Sequence, residues 1–545
     1  MTDSSNRDLV VQYHDRTKHR LDGYARGPDT LDWDAQPDPF RRFDGAECIA
    51  LPLVADQLSV PFSNLSSSDP IPVHSLALTS VSILLENALA LSAWKQYGAA
   101  RWSLRVNPSS GNLHPTETYV IAESVAGLAD GVYHYRADEH ALELRCAFLE
   151  EGGDSAPRDA ALHVAFSSVH WREAWKYGER AYRYCQHDVG HAMAAVSYSA
   201  AALGWSAKPQ LHMGDCSLGH LLGLERDADY GDAEHEHPDL LMSMVTDQCS
   251  NPCLDVERLL LRSQRGTWFG QANVLDQRHL YQWKLIDDVS SACEKPDSEP
   301  MVMNEESCDH TTPGVAVPTN HPGSAGKLFR RRRSAQAFDG KTEMPLPAFV
   351  RCLDQLQVRA SMAPWSAAPW LPQLHLILFV HRVEGLAPGL YAMPRSKKGE
   401  GMMRQSLRRE FLWQQAEVAP PSLPLYCLFL AKAERTISKL SCQQSIAGDS
   451  CFSVAMLAEF DAALIQGSWH YRRLFWEAGV MGQVLYVEAE AAGLRGTGIG
   501  CYFDDPVHEL LGVSDHTLQS LYHFTVGGPL VDHRITTLPP YPRNR

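Results

Sequence analysis

None of the thirteen cysteines belongs to a CxxC pair, and the closest two, Cys249 and Cys253 in "CSNPC", have no second pair to join. That spacing excludes the usual zinc frameworks, and the odd number argues against a disulfide scaffold, which leaves reduced and mostly buried thiols. Basic charge is also short: 49 Lys and Arg stand against 65 Asp and Glu, a net charge of -16. A nucleic-acid partner is therefore not expected, because phosphate binding relies on clustered cations. No stretch reaches the roughly 18 apolar residues of a membrane span. The start, "MTDSSNRDLVVQYHD", lacks the charged and apolar regions of a signal peptide, so the expected location is cytoplasmic, without a membrane partner. "HDVGH" and "AEHEH" place histidines at ligand-like spacing, but no third ligand set accompanies them and no metal site is expected.

What is present is enough apolar matter for more than one core: 545 residues, 44% of them hydrophobic. The chain also contains itself twice. "YRYCQHDVGHAMAAVSYSAAALGW" (182–205) and "YRRLFWEAGVMGQVLYVEAEAAGL" (471–494) share one pattern at a constant offset of 289, with Tyr182, Arg183, Gly190 and Gly204 facing Tyr471, Arg472, Gly479 and Gly493. Small and apolar residues recur there at helical spacing and stop at a glycine, which predicts a long buried helix in each half. An earlier match at offset 258 sets "GLADGVYHY" from Gly127 against "GLAPGLYAM" from Gly385, and each reads as strand, turn, strand.

Between the halves the composition turns to Pro, Ser, Glu and Asn without an apolar period, as in a linker. The expected organisation is an N-terminal domain over 1–285, a flexible linker over 286–326 and a C-terminal domain over 327–545. A tethered duplicate is the intrachain form of a two-fold dimer, so equivalent faces should pack together, and a site at their junction can draw on both.

The residues with chemical potential are divided unequally between the halves. "LFRRRRSAQAFDG" (328–340) reads either as a solvated charge run or as a phosphate clamp of planar Arg donors and a Ser hydroxyl. Its first-half counterpart is "HDRTKHRLDGYA", with Thr17 in place of Ser334 and Leu21 in place of Phe338. "GLRGTGIGCYFDD" (493–505) carries Gly496, Gly498 and Gly500, which either let backbone amides approach a ligand or only shape a turn; the first half has none of them. Conversely, "NPSSGN" (107–112) belongs to the first half, and its counterpart "WSAAPW" (365–370) has lost the serine pair and the asparagine. Complementary losses point to one intact composite site.

These segments resemble the FMN-dependent nitroreductase superfamily in its SagB/ThcOx-type dehydrogenase branch: the Arg-Arg-Ser-x-x-x-Phe opening, the Pro-Ser-Ser-x-Asn loop and "AGLRGTGIGCYFDDPVHELLG". The resemblance implies an α+β fold, two nitroreductase-like domains each with a central mixed β-sheet wrapped by helices, here fused as an intrachain pseudo-dimer. It implies that Arg332, Arg333 and Ser334 hold an FMN phosphate with help from Arg534. Pro108, Ser109, Ser110 and Asn112 would reach the flavin ring across the junction, and Gly498, Gly500 and Cys501 would face it through their backbone. Gln336 departs from the pattern, standing where the family usually has a basic residue.

"WKYGERAYRY" (175–184) resembles the Lys-Tyr pair of azoline-oxidising members, which makes Lys176 and Tyr177 candidates for proton transfer; by residue type alone it reads as an aromatic helix start with a snorkelling lysine. The expectation is an FMN oxidoreductase with one FMN per chain, acting on a peptide or small molecule. Two alternatives stand beside it: an NAD(P)H-dependent nitro or quinone reductase, and a flavin-binding, non-catalytic partner of a peptide-modification complex.

Overall fold

The computed structural model describes residues 3–67, 69–149, 159–246, 254–298, 321 and 323–542. Each half is built on a strand with a run of consecutive apolar residues at its centre, Tyr119 to Ala122 within Thr116–Glu123 and Leu376 to Val380 within Leu374–Val380, and both strands are buried at every position. Burial on both faces explains the lack of polar alternation. Around Thr116–Glu123 the sheet runs Thr267–Trp268, Ala141–Ala147, Gly131–Arg136, Thr116–Glu123, Ala161–Ser168, His237–Val245, Ser206–Pro209. The second sheet repeats it as Gln414–Gln415, Tyr426–Leu430, Gly389–Met393, Leu374–Val380, Phe452–Glu459, Leu518–Gly527, Arg495–Ile499. The architecture is α+β with two like units. The strand pairings described within both sheets are all antiparallel, where a mixed sheet was expected; Thr116–Glu123, Gly131–Arg136 and Ala141–Ala147, for instance, meet as successive hairpins.

The two-residue period of each strand divides the side chains between cores. Val120, Ala122, Leu376 and Leu378 point into one core shared by both halves, whereas Tyr119 and Ile121 pack outward in the first half and Ile377 and Phe379 in the second. The shared core is filled by two long helices, Ala181–Ala202 and His470–Ala491. Both are buried almost all round, and each is followed by a glycine in the left-handed region, Gly204 at φ 77° and Gly493 at φ 75°.

The repeat offset becomes a pseudo-two-fold axis. A Cβ on Gly190 would lie 2.2 Å from the Trp476 carbonyl oxygen, and one on Gly479 would lie 2.3 Å from that of His187, so the helices cross where both lack a side chain. Two buried ion pairs cross the same axis: Arg183 to Asp504 at 3.0 Å, and its equivalent Arg472 to Asp215 at 2.6 Å. Tyr13 packs edge-on against both Tyr182 and Tyr471, at 5.9 and 6.2 Å. The C-terminal strand Thr536–Leu538 reaches back to pair with Leu91–Tyr97 of the first half.

The stretch read as linker begins later than expected. Lys284–Ala292 is a helix with Ile286 and Val289 buried, and Lys295 and Asp297 bond to Asp215 and Gly214, so 286–298 packs with the first half. The amphipathic spacing of "KLIDDVSSA" was hidden by its Ser and Asp content. Residues 299–320, like Cys249 and Cys253, lie outside the described residues.

Candidate functional site

Beside the crossed helices, where the halves meet, lies a cleft of about 460 Å³ lined by both. From the first half comes the loop Asn107–Asn112, which follows the strand Ala100–Arg105. The loop is shaped by its own polar groups. Ser109 Oγ accepts from the His114 backbone N–H (2.8 Å), and the Asn112 amide donates to Ser103 O (2.9 Å). The backbone turns left-handed at Gly111 (φ 59°) and Asn112 (φ 61°), and a Cβ on Gly111 would sit 2.6 Å from the Tyr177 hydroxyl. Pro108, Ser109, Ser110, Asn112 and Tyr177 all line the cleft.

From the second half come Arg332, Arg333, Ser334 and Gln336. Arg332 is buried and donates to the carbonyls of Val106 (2.9 Å) and Arg105 (3.2 Å), which ties it to the first half, while its Nη1 has no hydrogen-bond partner among the described residues. Arg333 donates to the carbonyls of Arg330 and Ser92, both at 2.8 Å, and meets no carboxylate in those bonds. Ser334 Oγ is 2.8 Å from the Tyr486 hydroxyl. Three further cations line the same cleft, Lys95, Arg105 and Arg495. Burial, then Arg332 and Arg495, lowers Arg333 to about 10, and burial, then Arg333 and Arg495, lowers Lys95. Cations that depress one another around a cavity form a site for an anion, which relieves the repulsion.

Gly498 and Gly500 make room for side chains of the cleft. A Cβ on Gly498 would lie 1.8 Å from the Tyr522 hydroxyl, and one on Gly500 would lie 2.4 Å from the Tyr184 ring. They clear space for two tyrosines that line the cleft, and the Gly498 amide donates to the Tyr486 hydroxyl at 3.1 Å. Gly498, Gly500 and Cys501 also line the cleft.

Two expected residues lie apart from this group. Arg534 is exposed at the surface and pairs with Asp532 at 2.7 Å, although Leu530, Val531, Asp532 and Ile535 of the same segment line the cleft. Lys176 is half-buried on the last turn of the helix His170–Tyr177, 5.6 Å from the Trp33 ring and 5.2 Å from that of Tyr177, and does not itself line the cleft. Burial lowers its pKa, against an opposing pull from Glu173.

Besides the cations Lys95, Arg105 and Arg495, sequence reasoning missed Asp188. It sits on the long helix, accepts from the Ser110 backbone N–H (3.0 Å) and hydroxyl (3.0 Å), and lines the cleft. Burial raises it to about 7, against the lowering effect of its Ser109 and Ser110 bonds. The histidines of "HDVGH", at ligand-like spacing in the sequence, face rings: His187 stacks on Tyr522 (4.2 Å) and His191 Nε2 lies 3.1 Å from the Tyr522 hydroxyl. The available signal was the repeat itself, which sets Asp188 opposite another acid, Glu477.

An α+β protein of two like units, with a cleft between them lined by five cations and the buried acid Asp188, is the class that fold and site define. Residues 78–231 match the Nitroreductase family, so the chain carries a nitroreductase family domain. Over 173 residues it is 30% identical to the trifolitoxin-processing protein TfxB of Rhizobium leguminosarum bv. trifolii, covering 28% of this chain and 46% of that protein. Over 107 residues it is 33% identical to MJ1384 of Methanocaldococcus jannaschii, named as a nitroreductase, covering 18% and 52%. The chain thus spans about half the length of these curated relatives. A crystal structure described as a nitroreductase of Anabaena variabilis superposes over 96% of this chain and 99% of its own, with a TM-score of 0.64 and 19% identity, a likeness of fold.

Proposed function

We propose that the chain is an FMN-dependent oxidoreductase that binds one FMN in the cleft between its halves and oxidises a peptide or small molecule. The observation that carries this reading is the unpartnered, buried Nη1 of Arg332 within a set of five cations, which fits a phosphate in both charge and donor chemistry. Arg332, Arg333 and Ser334, with Lys95 and Arg495, would hold that phosphate. Pro108, Ser109, Ser110, Asn112 and Gln336, with the backbone of Gly498, Gly500 and Cys501, would line the rest of the cofactor. FMN, when bound, supplies a ring that takes up hydride.

The chain's own task is to position the substrate, exclude water and manage a proton. Tyr177 presents its hydroxyl at Gly111, and Lys176 lies beside its ring, so the pair can take a substrate proton and pass it outward. The name of TfxB, a trifolitoxin-processing protein, supports a peptide as substrate, as do the exposed apolar Leu530 and Val531 at the cleft. The position of Lys176 outside the cleft lining favours a second reading, a simple NAD(P)H-dependent nitro or quinone reductase that needs no such base. Lys176→Ala and Tyr177→Phe separate the two. Removing a positioned acid or base typically costs about 100-fold to 10,000-fold in rate, so both variants should keep FMN while substrate-driven flavin reduction collapses. Wild-type rates in both variants would put the reductase reading first.

A further inference from the structure

We propose that Cys442 and Cys501 form a second redox centre at the edge of the cleft, a dithiol that exchanges with small disulfides to give a Cys442–Cys501 disulfide. Their Sγ atoms are 2.8 Å apart although 59 residues separate them. The two segments are bound together on either side of the thiols: Phe503 N donates to Leu440 O (2.8 Å), and the Gln444 amide donates to Cys501 O (3.0 Å) and Ser441 O (2.9 Å). Cys442 and Gln443 both take positive φ, 52° and 59°, a conformation that residues other than glycine rarely adopt and that the surrounding bonds must sustain. The loop is therefore held so as to present one thiol to the other. Both are half-buried, and Cys501 lines the cleft.

The surroundings distinguish the two sulfurs. The Cys442 contact, then His19 and Arg180, hold the Cys501 thiol well below its usual range against the effect of burial, whereas Cys442 is raised. Arg180 donates to Gly500 O at 3.1 Å, one residue from Cys501. Cys501, the sulfur that lines the cleft, is the one placed to meet an incoming disulfide and attack it, and Cys442 resolves.

The exchange balances. Cys501 thiolate attacks one sulfur of R–S–S–R; a Cys501–S–R bond forms, the original S–S bond breaks, and the leaving RS⁻ is protonated. Cys442 then loses its proton and attacks Cys501 Sγ, displacing the second RS⁻. The protein gives up two electrons and the Cys442 proton, and with a second proton from solvent the disulfide becomes two thiols.

The test uses the full chain, oxidised glutathione as probe, alkylation of remaining thiols and peptide mass mapping. The expected product is a peptide linking Cys442 to Cys501. In Cys442→Ser, glutathione should stay on Cys501, and in Cys501→Ser, Cys442 should remain unmodified. At pH 6 Cys501 should react at least about tenfold faster than the more exposed Cys48, because thiolate content outweighs exposure. The proposal is overturned if the wild-type protein gives no linked peptide, if Cys442→Ser carries no adduct on Cys501, or if Cys48 reacts first. The readout needs no flavin, so it stands or falls separately from the oxidoreductase reading.

Discussion

The two sides of the pseudo-two-fold axis begin from the same helix position and end differently. On the first-half helix, Asp188 turns to a loop, accepts from Ser110 and lines an open cleft. On the second-half helix, the equivalent Glu477 is enclosed: Arg395 pairs with it, Trp370 Nε1 donates to it at 3.2 Å, and the Gln373 and Leu374 amides do so at 3.2 Å. Trp365 is also buried, beneath the Arg395 guanidinium at 4.7 Å. The openings differ in the same sense. Ser334 lines the cleft and Phe338 anchors its loop in the core, whereas Thr17 is spent on Tyr13 O (2.8 Å) and Arg183 (3.0 Å) and Leu21 is exposed. An acid at the same place thus serves a ligand site or an internal ion pair according to what the neighbouring loop brings to it.

Substitutions at equivalent positions should break that comparison in graded ways. Glu477→Ala should have the largest effect, because removing one partner of a buried ion pair leaves Arg395 uncompensated at a cost of about 3–5 kcal/mol. Thermal or urea unfolding should register that loss, while the flavin bound per folded chain stays unchanged. Replacing Arg332 and Arg333 together with Ala should weaken FMN binding at least about tenfold, since charge-assisted hydrogen bonds contribute roughly 1.5–3 kcal/mol each. A fluorescence titration with FMN would detect it, and unchanged affinity would remove the phosphate clamp.

Asp188 should reveal itself through pH. Its folded-state value near 7 lies above that of an ordinary carboxyl. Between about pH 4 and 7 the folded protein therefore keeps a proton that the unfolded chain has released, and stability falls as pH rises, by at most about 1.4 kcal/mol per unit. Asp188→Asn should lack that slope, so urea unfolding of the flavin-free proteins should show the variant gaining on the wild type across this window. A constant difference would contradict the buried, raised acid. The smallest effect belongs to the openings. Thr17→Ala should cost about 1 kcal/mol of stability and leave FMN affinity alone, whereas Ser334→Ala should lower affinity with little change in stability.

The repeat was legible because its helices are buried all round, which forces small and apolar residues into register at 289. The loop and arginine segments were legible as composition, and the structure brings them to one cleft. Lys95 and Arg495 were not, because only the pairing of distant segments carries them there: Lys95 lies on a strand joined by the C-terminal Thr536–Leu538. Arg534 misled for the converse reason, since a sequence cannot say on which side of a strand's approach a side chain emerges. The glycines of "GTGIG" suggested room for a ligand, yet the atoms nearest to them belong to Tyr522 and Tyr184, tyrosines whose positions follow only from the folded chain.

The claim that one side of the axis is open and the other closed is tested most directly by stoichiometry. The protein should be purified, saturated with FMN, desalted and denatured, and the released flavin measured against the chain. The account predicts one FMN per chain. Two per chain would mean that the Trp365 and Trp370 side still binds cofactor, and none would mean that the five cations serve another anion.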